Sequence, residues 1–577
     1  MATDKILKEI PIYLRPYVAK QDPSLYTPMD HASWRFILKI SRAFFAKYAH
    51  QKYLDGLSET GISMDRIPLI QEMDERLKRF NWRAVPVVGF IPPAVFMEFL
   101  SLGVLPIACD MRTIEHLAYT PAPDIVHEAA GHAPIVADPE YAAYLRTYGE
   151  VSRKAIFSKQ DMEVYQAIRF LSDTKENPQS TDKQVREAQT RLDQALASLS
   201  YDSEATLLSR MGWWTFEYGL IGNLSSPKIY GAGLLSSIGE SYHCLGSKVK
   251  KIPFSIDCIH VHYDITCPQP QLFVVSDFNT LKKGLSDLAS QMAFKKGSIE
   301  GLKKARKAGT VTTVVLDTGV QTGGILVDFI KDQGGRPCFV KFQGPVQIAY
   351  GDREIQGQGA TYHREGFSSP IEKISDSQLK AGGFKAGKKG FIRFSSGITL
   401  EGKLISALKN KGKNILLTFE DCTVKKEKTI LFQPEWGKFD MICGEKVESV
   451  FGGAADRGRY FEDTGGFHQE PRSQKTNLTK KNSELNILYR DLRKIREAAE
   501  KKKNLKDSAI LKLENIYQEL KKRFPRDWLL RYELLELCKC FQWEPKWKKS
   551  VETSLLKIAK TSPADIAESI QRGLDLL

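Results

Sequence analysis

The feature that most constrains this chain is a change of hydrophobic period near residue 300. From about Tyr26 to Lys296 apolar residues recur every three or four positions, the spacing of helices with one buried face. Ser33 to Tyr53 is an example, with Trp34, Ile37, Leu38, Ile40, Phe44, Phe45, Tyr48 and Tyr53 in that rhythm. Further helices are predicted over Pro139 to Phe157, Met162 to Leu171, Val185 to Leu199, Ala205 to Ile221 and Thr280 to Phe294. A charged bridge, KKGSIEGLKKARKAG, follows from Lys295 to Gly309. Beyond it come VTTVVL, CFVKFQ, FIRF and NILLTFEDCTV, short β-branched or aromatic runs separated by glycine, which read as strands.

Charge and glycine break at the same place. Residues 1–300 hold 33 Lys and Arg against 34 Asp and Glu, so the chain's net charge of +15 lies wholly in the second half. Of 42 glycines, 26 fall between 301 and 470. From about Pro471 the chain turns helical again and basic, with 25 Lys and Arg against 15 Asp and Glu. The expected organisation is multidomain: an extension over 1–25, a mainly α-helical domain over 26–296, a charged linker over 297–309, a Gly-rich β domain (small barrel or sandwich) over 310–470 and a basic helical domain over 471–577. In that last segment Tyr489, Tyr517, Phe524, Trp528, Tyr532, Phe541, Trp543 and Trp547 are interleaved with aliphatics as in a packed bundle, which favours a protein partner or homo-oligomer over nucleic acid. Nine cysteines without CxxC pairs fit reduced thiols. The start, MATDKILKEI, has no signal-peptide pattern and no apolar run approaches a membrane span, so a cytoplasmic location without membrane contact is expected.

Chemistry concentrates in YTPAPDIVHEAAGHA, Tyr119 to Ala133. His127 and His132 are five apart, off one face of a regular α-helix, so this is not the HExxH zinc motif. Gly131 and Pro134 predict that the helix loosens and ends there, which would let both imidazoles reach one ion. Glu217, an acid inside the aromatic GWWTFEYGL, is the candidate third ligand, since a buried carboxylate calls for a partner. Two imidazoles and a carboxylate form the facial set of non-heme Fe(II) oxygen-activating sites. Taken singly, each of the three is better explained as structural. Cys258, His260 and His262 alternate in SIDCIHVHYD and on a strand would share a face, a second and weaker candidate for metal.

Several blocks in order, WRFILKISRAF, FIPPAVFMEFL, TPAPDIVHEAAGHAP, WWTFEYGL and IYGAGLLSSIGE, resemble the pterin-dependent aromatic amino acid hydroxylases over roughly 26–296. The resemblance implies a helical catalytic domain with His127, His132 and Glu217 as iron ligands in a deep cleft, and Fe(II), tetrahydropterin and O2 as the reacting set. It places Arg112 at the substrate carboxylate, with Asp124 orienting it and Thr120 adding polar contact. An ion pair of Arg112 with Asp110 or Glu115 is the alternative. It also sets the pterin against Gly89, Phe90, Ile91 and Phe96, with Glu128 holding pterin nitrogens, and makes Ser236 the hydroxyl that orients an iron-bound histidine beside the substrate. Pro92 and Pro93 stand where the family often has Ser-Ser, and Gly212 where it has a tyrosine. Trp213 disfavours tryptophan as substrate, and Ile265 at a position that is acidic in tyrosine-specific members favours a free phenylalanine. Tyrosine or tryptophan hydroxylation, or a degenerate metal scaffold whose C-terminal domains act through protein partners, are the other readings. Only about 25 residues precede the matching region, so the regulatory domain of animal members is expected to be missing and the C-terminal half to take its place.

Overall fold

The computed structural model describes residues 2–118, 123–176, 180–265, 267–385, 388–465, 474, 483–501 and 506–577. Thr120 lies outside them.

The extension is built into the fold. Helix Ala2–Glu9 and the turn Ile12–Tyr17 place Ile6, Ile10, Leu14 and Tyr17 against Val85, Val87, Val104 and Ala108. Those four belong to a parallel pair of strands, Arg83–Val87 and Val104–Ala108. The next helix, Pro28–Tyr48, begins with Pro at its first turn and a capping box in which Thr27 and Asp30 satisfy each other's backbone N–H groups. One buried face was expected here, yet Ser33 through Leu38 are all buried. The reason is that the C-terminal helices cover the outer side. Phe36 meets Trp528 and Tyr532 edge-on, at centroid distances of 4.9 and 4.8 Å.

The central helical region shares one apolar core with the C-terminal helices Ser483–Lys501, Leu529–Cys540 and Lys548–Ala559. A four-stranded sheet, ordered Lys228–Ile229, Leu220–Ile221, Gln271–Val275, Lys250–Pro253, lies within the region. The charged bridge is no linker. Residues Ser298–Ala308 form a helix whose Leu302, Ala305 and Ala308 are buried against the β region, while Lys304 pairs with Glu204 and Lys307 lies over the Tyr201 ring.

The β region forms two open antiparallel sheets, six- and five-stranded, and no closed barrel among the described residues. The long strands Val320–Lys331 and Pro337–Tyr350 pair in the first, Ile398–Asn410 and Lys413–Lys426 in the second. Leu416 and Ile442 of the second sheet enter the core of the first, which joins them.

Candidate active site

The helix carrying the two histidines loosens by widening rather than by fraying, and it ends one residue past Gly131, at His132. Val126–His132 is π-helical, with hydrogen bonds from i to i+5. The wider turn brings residues five apart onto one face, so the spacing that fails in an α-helix succeeds here. His127 Nε2 and His132 Nε2 lie 3.2 Å apart. Gly131 answers a packing need: a Cβ there would stand 2.7 Å from the Ala232 carbonyl oxygen. Gly131→Ala is therefore expected to cost about 1–3 kcal/mol of stability by overpacking, read from urea unfolding, and to weaken metal retention because the same helix carries both imidazoles.

Glu217 comes from a second π-helical turn, Trp213–Glu217, which continues helix Glu204–Gly212. Its carboxylate lies 3.4 Å from His127 Nε2 and 3.2 Å from His132 Nε2. Burial raises the Glu217 pKa, but the His132 and His127 imidazoles outweigh it and hold the carboxyl below its usual range. Gly231, the cap of the short helix Ala232–Leu235, lets that segment lie against this turn: a Cβ would meet the Glu217 carbonyl oxygen at 2.4 Å. Glu128 stands beside the pair, its ligand atom within 4.8 Å of those of both histidines, and burial pushes its pKa up to about 8.

The hydrogen bonds around His127 settle its tautomer. Ser236 Oγ donates to the Ala232 carbonyl at 2.7 Å, so toward His127 Nδ1, 3.0 Å away, it accepts. With Nδ1 protonated, the Nε2 lone pair faces His132 and Glu217. Lone pairs and a carboxylate converging at 3.2–3.4 Å repel one another unless a cation lies among them or the imidazoles take up protons, the charged state in which they hold the Glu217 carboxyl down. The donor set fits a divalent metal of the two-histidine, one-carboxylate type.

Ser236 also links this cluster to Arg112, whose Nη1 donates to the Ser236 carbonyl at 3.0 Å. Arg112 is buried and forks onto Asp124, with Nε to Oδ2 at 2.8 Å and Nη2 to Oδ1 at 2.7 Å. The ion pair of Arg112 is thus with Asp124, and Asp110 accepts from Gly89 N at 3.0 Å. Burial raises the Asp124 pKa, and the adjacent guanidinium more than offsets it, leaving the carboxyl below its usual range. Asp124 also accepts from His127 N at 3.1 Å, a tie between the arginine and the metal-type ligands that motif reading alone had not indicated.

The remaining candidates are each held by contacts of their own. Gly89 adopts φ +65°, open to glycine at little cost. The Phe90 ring stacks on Tyr165, with centroids 5.6 Å apart. Ile91 is packed into the cluster with Ile6 and Leu14, against which Phe96 also packs. Phe96 lies 6.3 Å from the His132 ring. Pro92 and Pro93 start helix Pro93–Ser101, Pro92 as its cap. At Gly212 a Cβ would meet the Tyr148 hydroxyl at 2.7 Å, so Tyr148 occupies space that a larger residue would need. Trp213 stacks with Tyr218 at 4.5 Å and with Tyr263 at 4.3 Å, and its Nε1 donates to Gln269 at 3.4 Å. Tyr263 and Gln269 flank the half-buried Ile265 in the same loop; their nearness in sequence to Ile265 was the available signal.

The second metal candidate fails. Residues Ile256–His260 are a 3-10 helix, not a strand, with Cys258 buried and His260 and His262 exposed. His262 Nδ1 sits 3.3 Å from Arg210 instead.

Residues 19–172 and 178–298 match the family described as biopterin-dependent aromatic amino acid hydroxylase. The phenylalanine-4-hydroxylase of Ralstonia nicotianae is 30% identical over 272 residues, covering 46% of this chain and 73% of the relative. The chain belongs to this family. That of Pseudomonas aeruginosa is 28% identical over 271 residues, 46% of this chain and 86% of the relative. Among solved structures, Chromobacterium violaceum phenylalanine hydroxylase with bound iron(III) and 7,8-dihydrobiopterin aligns at a TM-score of 0.39 and 25% identity, over 50% of this chain and 91% of that one. The helical region is thus that of a pterin-dependent, phenylalanine 4-monooxygenase-like enzyme. No helix among the described residues is long and apolar enough to cross a membrane.

Proposed function

We propose that this hydroxylase converts free L-phenylalanine to L-tyrosine, with O2 and a tetrahydropterin as co-substrates and Fe(II) held by His127, His132 and Glu217. The observation that carries the reading is the single network in which Ser236 touches both His127, through its hydroxyl, and Arg112, through its carbonyl. Ferrous iron held by those three residues would supply the activation of O2 by the reduced pterin.

The chain's own residues supply the rest. Ser236 fixes the His127 ring so that Nε2, not Nδ1, faces the metal position. Asp124 holds the Arg112 guanidinium from one side, and Nη1 and Nη2 each carry a second N–H, the fork that suits a substrate carboxylate. Trp213, held by Tyr218 and Tyr263, forms a rigid wall for the substrate ring. Its bulk argues against tryptophan, and the apolar Ile265 against tyrosine, although a hydrophobic pocket rejects an added hydroxyl weakly. Phe96 beside His132 offers a face for the pterin ring, with Glu128 and the backbone around Gly89 as polar partners. The relatives' printed activity, phenylalanine-4-hydroxylase, supports the same choice.

Arg112→Lys tests the assignment because it keeps the charge and removes the fork. The amino-acid KM is expected to rise at least about tenfold, the scale of one charge-assisted hydrogen bond lost, while the pterin KM stays unchanged. Equal rises in both constants would point away from a carboxylate role.

A further inference from the structure

The C-terminal helix reaches the segment that organises the site. Helix Ala564–Asp575 sends Arg572 onto the Tyr242 ring, its guanidinium carbon 4.1 Å from the ring centroid, and Nη1 donates to the Ile238 carbonyl at 2.9 Å. Ile238 lies two residues from Ser236, whose carbonyl takes the Arg112 bond and whose hydroxyl takes the His127 bond. On either side of Ile238, Ser237 Oγ donates to the Ala118 carbonyl at 2.9 Å and Gly239 N reaches the same oxygen at 3.4 Å. Tyr242 is stacked from its other neighbour, Phe44, at 3.9 Å.

The close approach of this helix is itself built. A Cβ at Gly573 would stand 2.9 Å from the Tyr532 ring and 3.0 Å from the Phe36 ring, so glycine there lets the helix sit down on the catalytic region. Glu568 then accepts from Arg572 Nη2 at 2.9 Å and fixes the fork. The bond to Ile238 is half-buried, where a carbonyl anchored by a guanidinium is worth more than one facing water.

We propose that Arg572 is a positioning residue for the amino-acid site: by holding the Ile238 carbonyl and the Tyr242 ring it fixes the 236–242 segment, and through Ser236 the orientation of Arg112. The inference rests on the reading of Arg112 as the carboxylate anchor. It gives the basic C-terminal segment a part in substrate binding, acting within one chain and without touching substrate.

The test compares the full-length protein with Arg572→Ala, Arg572→Lys, Glu568→Gln, Arg112→Lys and, as a control on the same helix, Gln571→Ala, whose side chain bonds the exposed Asp575. L-Phenylalanine affinity is measured by calorimetry, alongside Tm and kcat. Arg572→Ala is expected to weaken phenylalanine binding about fivefold, the size of one ordinary hydrogen bond, with kcat within about twofold. Arg572→Lys, which keeps a cation over Tyr242, is expected to recover part of that loss. Glu568→Gln, which loosens the guanidinium without removing it, is expected to give a rise of about twofold, and Gln571→Ala none. Unchanged binding in Arg572→Ala, with Arg112→Lys weakened, would overturn the proposal and leave the carboxylate reading intact. Unchanged binding in Arg112→Lys would remove that reading and this proposal with it. Should Arg572→Ala unfold the protein, the absence of any change in both Arg572→Lys and Glu568→Gln would overturn the proposal equally.

Discussion

Glu217→Ala is expected to strip the protein of iron and to lower hydroxylation at least about 100-fold. Loss of a group that merely supports a metal ligand costs about 10–100-fold, and Glu217 faces both imidazoles directly, at 3.4 and 3.2 Å. The fold should survive, because the carboxylate's polar partners there are those two imidazoles rather than a structural network. The measurement is iron content after gel filtration, with thermal unfolding run with and without added Fe(II). In the parent protein metal raises Tm by mass action, since it binds the folded state; in Glu217→Ala that rise should vanish while the metal-free Tm holds. A variant that keeps its iron would show that Glu217 is a salt-bridged core acid.

The second large effect is structural. Glu533→Ala is expected to destabilise the protein by about 3–5 kcal/mol, the cost of leaving buried charge uncompensated. Glu533 is 1% exposed and takes bonds from two buried arginines, Arg35 Nε at 3.0 Å and Arg496 Nη2 at 3.2 Å. Glu536 beside it pairs with Lys39 and Arg496. This network lies between helix Pro28–Tyr48 and the C-terminal helices, so its loss should also loosen their docking. Urea unfolding gives the free energy, and limited proteolysis reports whether the C-terminal helices are released first. A loss below about 1 kcal/mol, typical of exposed pairs, would mean that the two parts do not pack as one core.

These two sites differ in how far the sequence announces them. His127, His132 and Glu217 stand out as residue types in unusual surroundings, and their neighbours carry a family resemblance. Their geometry does not stand out, because a π-turn has no propensity signal beyond the five-residue spacing, and that spacing argues against a shared face in any α-helix. Arg112 and Asp124 are visible only through the register of the TPAPD block, while Ser236's double contact depends on a carbonyl that no side-chain pattern reveals. The Arg35–Glu533 pairing is hidden for a different reason. Both residues look solvated locally, and each is buried only because the other arrives from 498 positions away. In the 297–309 segment the charges masked a readable signal: Leu302, Ala305 and Ala308, three apart, are the buried stripe of a helix. The β region's strands and glycine turns are legible, but its pairing order joins Val311–Leu316 to Val447–Gly452 across more than a hundred residues, which periodicity cannot see.

The most direct measurement is aerobic turnover of L-phenylalanine, L-tyrosine and L-tryptophan by the Fe(II)-loaded full-length protein with tetrahydropterin, with products identified by mass and Glu217→Ala run in parallel. Tyrosine from phenylalanine is expected, at a rate well above any product from the other two, together with its loss in the variant. No hydroxylated product from any of the three, with iron bound and pterin intact, would contradict that expectation.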